Sequence, residues 1–287
     1  MEQLEKTLSM YNHTPIYIKR PNHNVKVNEG LAKNIEKTLM KIKGRLDIEL
    51  SNAGDLEADE YISYRIDKKA RVMNSLEIFE EEIESQGLDI VCLVDCSGSM
   101  RKVQHIMRNI TATIIKALEK CTFVNFKVLA FSGHATEYQG YLDEIKTVED
   151  ARRIQADDRC NCNVCTKEPR CHYHDIHNLA VDEACRILKK SEANKKLMLM
   201  ITDGYPEMNW QGRSVPPQIR TNLFKKSIQQ CHNWNIETFA IFYATSYSEV
   251  DIMREIFKGN LYQTSDFRDV ETNFIKKLIK SVENMNK

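Results

Sequence analysis

From residue 88 onward, the chain alternates short apolar runs with segments in which apolar residues recur at helical spacing. The runs over 88–94 and 197–202 are continuously apolar, which is typical of strands buried on both faces of a parallel sheet. Further strands are predicted over 126–131, 236–244 and 260–264. A strand over 136–141 is predicted to pair with 126–131 as an edge hairpin, turning at Ser132-Gly133-His134.

Helices are predicted between these strands, because apolar residues there recur every three or four positions. The predicted helices cover 103–118, 179–188, 219–231, 250–257 and 270–282. Strands that alternate with helices of this length indicate a mainly parallel sheet covered on both faces. The sequence therefore predicts a doubly wound α/β fold over residues 88–287.

Residues 1–87 follow a different pattern. Leu31, Ile35 and Leu39 mark one amphipathic helix that is predicted to end near Gly44, and residues 61–67 alternate like an edge strand. This region holds too little apolar material for a core of its own. We therefore expect an α+β N-terminal extension, formed by a helix and an edge strand, that accompanies the α/β domain.

Composition narrows the class of protein. Of the 287 residues, 42% are hydrophobic and 29% are charged, as in a globular protein, and 41 Lys and Arg balance 41 Asp and Glu. A net charge of zero removes the simplest argument for non-specific binding to nucleic acid or to anionic membranes. No apolar run approaches the roughly 20 residues that span a bilayer, and no secretory signal is visible. We expect a cytoplasmic protein without a membrane partner.

The segment after the first buried strand carries the most specific chemistry. Asp95, Ser97 and Ser99 place a carboxylate and two hydroxyls on one loop, and Gly98 permits a tight backbone there. In open α/β sheets, ligands bind beyond the carboxyl ends of the strands. Asp203 follows the strand over 197–202 and can face Asp95, since neighbouring strands lie about 5 Å apart. Hard oxygen donors of this kind suit Mg²⁺, whereas capping of the next helix is the competing interpretation.

Asp95-x-Ser97-x-Ser99, together with Asp203, resembles the metal-ion-dependent adhesion site of the von Willebrand factor A domain family. The resemblance covers residue 88 to the C-terminus and implies a Rossmann-like fold. It also implies a divalent cation at this site, Mg²⁺ or in its place Mn²⁺ or Ca²⁺. One coordination position of such an ion stays open for the acidic side chain of a protein ligand.

The family takes one more metal ligand, a Thr or Asp, from the loop before the next helix. Here that loop contains Asp175 and His177 and has no Thr at the corresponding place. Asp175 is the candidate because it offers an oxygen donor, and His177 is the other possibility. A helix N-cap is the alternative role for Asp175.

The order of segments upstream resembles a particular branch of this family. Gly44-Arg45-Leu46-Asp47, then an extended segment, then residues 88–100, is similar in order to the T subunit of the cobaltochelatase. This similarity implies an AAA+ ATPase partner in a chelatase-like or protein-remodelling complex. It also implies that this chain is the subunit of such a complex that does not hydrolyse ATP. In agreement with this, the sequence lacks a Gly-x-x-x-x-Gly-Lys-Ser/Thr phosphate loop.

A second candidate metal site lies in an insertion at about 157–174, just before Asp175. Four thiols and two imidazoles crowd together there: Cys160, Cys162, Cys165, Cys171, His172 and His174. Without a secretion signal, such a cluster favours a metal over disulfides, and four nitrogen or sulfur ligands suit a structural Zn²⁺. An iron–sulfur cluster on four thiolates and a surface loop with reduced thiols are the alternatives.

Two other functions are compatible with parts of the sequence. A bound Mg²⁺ could activate water, as in a metal-dependent hydrolase, but no general base stands out beside the candidate ligands. The cysteine-rich segment could instead serve a nucleic-acid-binding accessory. Its basic residues are interleaved with acidic ones and aromatics are nearly absent, which argues against nucleic acid as the partner.

Overall fold

The computed structural model describes residues 23–51, 87–134, 139–152, 154, 177–204, 209–210, 213–243, 247–258 and 260–264. In this part of the chain, the strands are β1 (Leu88–Asp95), β2 (Val124–His134), β3 (Gln139–Ile145), β4 (Lys195–Thr202), β5 (Asn209–Trp210), β6 (Arg213–Ser214), β7 (Glu237–Tyr243) and β8 (Leu261–Thr264). The helices are α1 (Glu29–Ser51), α2 (Gln104–Leu118), α3 (Val148–Ala151), α4 (His177–Lys189), α5 (Pro217–Asn233) and α6 (Tyr247–Ile256).

One sheet organises the domain, in the order β3-β2-β1-β4-β7-β8. The strands from β2 to β8 in that order run parallel, whereas the edge strand β3 runs antiparallel to β2. The chain proceeds from β1 outward to β2 and later from β4 outward to β7, so the direction of winding reverses between β1 and β4. This reversal opens a crevice at the carboxyl ends of the two central strands. The predicted doubly wound α/β fold class is confirmed.

Each face of the sheet has its own hydrophobic core. Ile90, Cys92 and Val94 of β1 pack in one cluster with residues of α1, α2 and α3. Val91 and Leu93 point to the opposite face and pack with residues of α4, α5 and α6. Because successive strand residues enter opposite cores, the central strands need apolar residues at every position. This explains their continuous apolar runs in the sequence.

Helix α1 belongs to the first of these cores. Leu31, Ile35 and Leu39 are buried there. The segment before the helix is also fixed to α2, since the backbone N–H of Asn28 donates to Thr113 Oγ1 at 3.0 Å. The predicted end of this helix near Gly44 is wrong, because the helix continues to Ser51. A glycine inside a helix costs only about 1 kcal/mol, which strong helix-forming neighbours can offset.

The predicted edge hairpin forms, but its turn lies elsewhere. Ser132, Gly133 and His134 belong to β2 and pair with residues 139–141, so the predicted turn at these three residues is wrong. Gly133 and Gly140 face each other across the ladder, and the glycine that suggested a turn is therefore an inner strand position. The predicted strand over 61–67 and the predicted helix over 270–282 lie outside the described residues.

Within the ranges given above, no helix is both long enough and apolar enough to cross a bilayer.

Candidate metal site at the carboxyl end of the sheet

The site lies where the two central strands end side by side. Val94 of β1 pairs with Ile201 of β4, so the next residues, Asp95 and Thr202, lie next to each other at the crevice. Beyond β1, the N–H of Cys96 donates to the carbonyl oxygen of Phe131 at 2.8 Å, which holds the exit of the strand against β2. A short 3₁₀ helix at Gly98–Lys102 then leads into α2. The candidate ligands are therefore carried by a loop that is anchored at both ends.

Four polar side chains converge in this crevice. Asp95 Oδ1 accepts a hydrogen bond from the N–H of Ser97 at 2.8 Å. The hydroxyl oxygens of Ser97 and Ser99 are 3.0 Å apart, and Ser99 Oγ donates to Asp203 Oδ1 at 2.7 Å. These contacts join the loop after β1 to the loop after β4. Two carboxylates and two hydroxyls thus come together from residues that are about a hundred positions apart in the chain.

The spacing of these oxygens fits a small divalent cation. Oxygen ligands of an octahedral Mg²⁺ lie about 2.1 Å from the metal, so adjacent ligands are about 3 Å apart. The separations of 3.0 Å between Ser97 Oγ and Ser99 Oγ, and of 2.7 Å between Ser99 Oγ and Asp203 Oδ1, agree with this distance. All four side chains offer the hard oxygen donors that Mg²⁺ or Mn²⁺ prefers.

Burial increases the need for a cation at this place. The side chain of Asp95 is 0% exposed, and Asp203 is 8% exposed. An ionised carboxylate in such surroundings is costly unless it is paired or coordinates a metal. Among the described residues, the basic group found within ion-pair distance of Asp95 is His177, whose Nε2 lies 3.5 Å from Asp95 Oδ2. A divalent cation would compensate the charge of both carboxylates.

Thr202 connects three parts of the site through one hydroxyl group. Its Oγ1 donates to Asp95 Oδ2 at 2.6 Å and accepts from the N–H of Gly204 at 3.2 Å. His177 Nε2 lies 2.8 Å from the same oxygen. Because an ionised carboxylate only accepts, the single hydroxyl hydrogen of Thr202 is used by Asp95, and His177 Nε2 must be the donor. Thr202 therefore ties Asp95 to the loop that carries Asp203 and to the start of α4.

The ring of His177 is held tightly at the first position of α4. It is 0% exposed and makes edge contacts with Phe131 and Phe224, at centroid separations of 5.3 and 5.5 Å. These two aromatic rings fix the orientation of the imidazole, and the imidazole fixes Thr202. In this arrangement the Nε2 hydrogen is directed at Thr202, so Nε2 itself has no lone pair for a metal.

The structure brings together four of the residues singled out in the sequence: Asp95, Ser97, Ser99 and Asp203. His177, the other possible loop ligand, contacts Thr202 and Asp95 instead. The remaining candidates lie outside the described residues: Asp175, Cys160, Cys162, Cys165, Cys171, His172 and His174. In the described part of the chain, no group of three or more His, Cys, Asp or Glu is placed to hold a metal ion, and the candidate site relies on two carboxylates and two hydroxyls. Structural zinc at the insertion stays a prediction.

The bridging role of Thr202 is a feature that sequence reasoning missed. In the sequence, Thr202 stands out only as the last residue of an apolar strand, directly before Asp203. The sequence did contain a signal for this role. Thr202 places a hydroxyl at the end of one buried central strand, and Asp95 places a carboxylate at the end of the neighbouring strand. The register of the two strands turns this signal into a contact.

Comparisons with known proteins give a fold likeness and no family. No protein-family model matches the sequence, and no curated protein is similar to it. Among solved structures, the manganese-loaded TRAP protein of Plasmodium vivax is similar with a TM-score of 0.46 and 13% identity, over 69% of this chain and 74% of that chain. The human COPII-coat protein Sec24c is similar with a TM-score of 0.42 and 9% identity, over 69% of this chain and 32% of that chain. The fold assignment itself rests on the strand order given above.

Proposed function

We propose that this chain is a metal-dependent protein-binding module. A divalent cation, Mg²⁺ or Mn²⁺, is held by Asp95, Ser97, Ser99 and Asp203, and it offers an open coordination position to an acidic side chain of a partner protein. The observation that carries this proposal is the convergence of these four side chains, with oxygen separations of 2.7 and 3.0 Å, at the crevice of the sheet.

The residues around the proposed ion favour binding over turnover. Asp95 is oriented by Thr202 and by the backbone of Ser97, and Asp203 is oriented by Ser99. The neutral hydroxyls of Ser97 and Ser99 add no negative charge, so the two carboxylates do no more than balance the ion, and its open coordination position can take a further oxygen ligand from a partner. His177 is buried and committed to Thr202, and it is not placed to act as a general base on bound water.

For the partner, we propose an AAA+ ATPase, as the similarity to the cobaltochelatase T subunit implies. In this arrangement the chain acts as the non-ATPase subunit that presents a target, and the ATPase supplies the work. The support for this partner is the order of sequence segments, and the support for the mode of contact is the crevice chemistry.

Two measurements, made one after the other, test the proposal. The first is calorimetric titration of the protein with MnCl₂ and with MgCl₂. We expect one site that disappears in Asp95→Ala. The matched control is Asp89→Ala on the same strand, because Asp89 contacts Asn125 and lies at the other end of β1. Equal binding by the wild type and Asp95→Ala would contradict the proposed site.

The second measurement addresses the partner. Tagged protein is used to capture binding proteins in Mg²⁺ and in chelator, with Asp95→Ala and Asp89→Ala as the paired variants. We expect an AAA+ ATPase to be retained by the wild type and Asp89→Ala in Mg²⁺ only. Retention that is unchanged by chelator and by Asp95→Ala would refute a contact through the metal.

A further inference from the structure

A groove lined with lysines lies at the end of the sheet opposite the candidate metal site. One cavity of about 580 Å³ is bounded by the starts of β4 and β7, with Lys195, Lys196 and Lys258 in its lining. A second cavity, of about 370 Å³, lies between α5 and α6 and is lined in part by Lys225 and Lys226. His232 and Lys258 line both cavities, so the two cavities are neighbours on this surface. We call this feature the lysine groove.

The charge of this end of the molecule differs from the neutral average of the chain. Among the described residues in and around the two cavities, seven lysines stand against four acidic residues: Lys189, Lys190, Lys195, Lys196, Lys225, Lys226 and Lys258 against Asp89, Glu192, Glu237 and Glu255, where Asp89 pairs with Lys196 in the ladder between β1 and β4. Helices α4, α5 and α6 all end here, and each helix end carries about half a negative charge. These three ends offset about 1.5 positive charges, so a surplus of about 1.5 positive charges is left.

Two lysines of the groove contact neutral oxygen atoms. Lys196 Nζ donates to the carbonyl oxygen of Ser191 at 2.8 Å, and Lys258 Nζ donates to Gln229 Oε1 at 3.5 Å. Lys225, by contrast, forms an ion pair with Glu255 at 2.6 Å. The charges of Lys196 and Lys258 are therefore held at the groove without neutralisation by these acceptors.

An exposed tryptophan lies two residues after His232, which lines the lysine groove. Trp234 directly follows α5 and is 44% exposed, which is unusual for a large hydrophobic side chain in the described part of the chain. Lys189 Nζ lies 3.7 Å from the centroid of the indole ring. This cation–π contact holds the ring at the surface instead of letting it fold into the core.

We propose that the lysine groove and Trp234 bind single-stranded nucleic acid, with the lysines following the phosphate backbone and the indole stacking on a base. Proteins that bind single strands without sequence preference combine a basic groove with exposed aromatic rings in this way. This binding goes beyond the proposed metal-dependent function and does not use the metal site. It also uses a different part of the chain from the cysteine-rich insertion.

The features of the groove favour a nucleic acid over an acidic peptide. Carboxylates are best recognised by the forked guanidinium of arginine, and no arginine is among the described residues that line either cavity. Lysine acts as a point charge and suits phosphates spaced along a flexible strand.

The test uses fluorescence anisotropy with a labelled 20-nucleotide single-stranded oligothymidine and, as the competing probe, a labelled 20-residue polyglutamate. The charge variant is Lys196→Gln/Lys258→Gln. Its matched control is Lys33→Gln/Lys37→Gln, which removes two exposed lysines from α1. Each phosphate contact contributes a factor of about 8 at 50 mM salt, so the charge variant is expected to bind the oligonucleotide about 60-fold more weakly. The slope of log K against log salt should fall in magnitude by about 1.4.

Trp234 supplies the readout that separates stacking from charge. We expect Trp234→Ala to weaken binding about tenfold and Trp234→Phe to preserve most of it, because a phenyl ring still stacks. Chelator and Asp95→Ala should leave binding of the oligonucleotide unchanged, which separates this result from that of the metal site. Binding of polyglutamate as tightly as the oligonucleotide, indifference to Trp234→Ala, or an undiminished affinity in the charge variant would each overturn the proposal.

Discussion

Replacement of Thr202 by valine tests whether the site is organised as described. Valine has nearly the shape of threonine and lacks only the hydroxyl. That hydroxyl donates to Asp95 Oδ2 at 2.6 Å and lies 2.8 Å from His177 Nε2. Thr202→Val therefore removes one hydrogen bond from a fully buried carboxylate and the acceptor of a fully buried imidazole, while the packing of β4 is retained.

The expected magnitude follows from these two lost partners. A buried polar group that loses its partner costs about 1–3 kcal/mol, so the free energy of unfolding of the metal-free protein should fall by about 2–6 kcal/mol. For a domain of this size, that corresponds to a decrease in Tm of about 4–24 °C. Because Thr202 orients Asp95, the affinity for Mn²⁺ should also fall by about 10- to 100-fold.

The assay combines thermal unfolding with calorimetric titration of Mn²⁺. Thr202→Ser keeps the hydroxyl and should preserve most of the metal affinity. Thr221→Val is the matched control, because its hydroxyl donates to the carbonyl oxygen of Pro217, rather than to a carboxylate, on the exposed side of α5. If Thr202→Val behaved like Thr221→Val in both stability and Mn²⁺ affinity, the bridging role of Thr202 would be refuted.

Three further predictions concern the rest of the fold. Ile35→Ala on α1 should lower the free energy of unfolding in urea by about 2–5 kcal/mol, against less than about 0.5 kcal/mol for the exposed Met40→Ala; equal effects would exclude α1 from the core. Burial raises the pKa of the Cys92 thiol to about 12, so peptide mass spectrometry should find this residue alkylated by iodoacetamide after unfolding only, and rapid labelling of the native protein would contradict this. Burial, and to a smaller extent the Lys258 ammonium, lowers the pKa of His232 below its usual 6.5. The neutral ring therefore stabilises the folded protein above pH 6.5, and this stabilisation is lost as the pH falls through the folded-state pKa. His232→Gln should flatten this loss in urea unfolding between pH 7.5 and 5, and an unchanged pH profile would count against it.

The parts of the fold that sequence predicted well are those in which burial dictates every position. β1 and β4 lie in the centre of the sheet, and their continuous apolar runs match the observed bounds to within one or two residues. The predictions failed at glycines, because a glycine can end a helix or form a turn but can also lie inside a helix or a strand. Gly44 suggested a helix end and lies inside α1, and Gly133 suggested a turn and lies inside β2.

The candidate site shows the same division between local pattern and tertiary contact. Asp95, Ser97 and Ser99 could be singled out because they alternate on one loop after a buried strand. The link from Ser99 to Asp203 needed the adjacency of β1 and β4, which the strand–helix alternation made plausible. The contact of His177 with Thr202 joins a helix start to a strand end, and no spacing in the sequence encodes it.

The net charge of the whole chain gave no indication of the lysine groove. A net charge of zero over the whole chain argued against nucleic acid as a partner, but it does not constrain how the charges are distributed over the surface. Lys195 and Lys196 begin β4, Lys258 follows α6, and Lys225 and Lys226 lie in the middle of α5, so these lysines meet only through the packing of the helices on the parallel sheet.

Anomalous diffraction from crystals grown in MnCl₂ would locate the proposed ion. We expect one strong manganese peak at the carboxyl end of β1 and β4, enclosed by oxygen atoms of Asp95, Ser97, Ser99 and Asp203. A crystal at saturating Mn²⁺ with no peak at this place, and with the carboxylates of Asp95 and Asp203 turned away from each other, would contradict the proposed site.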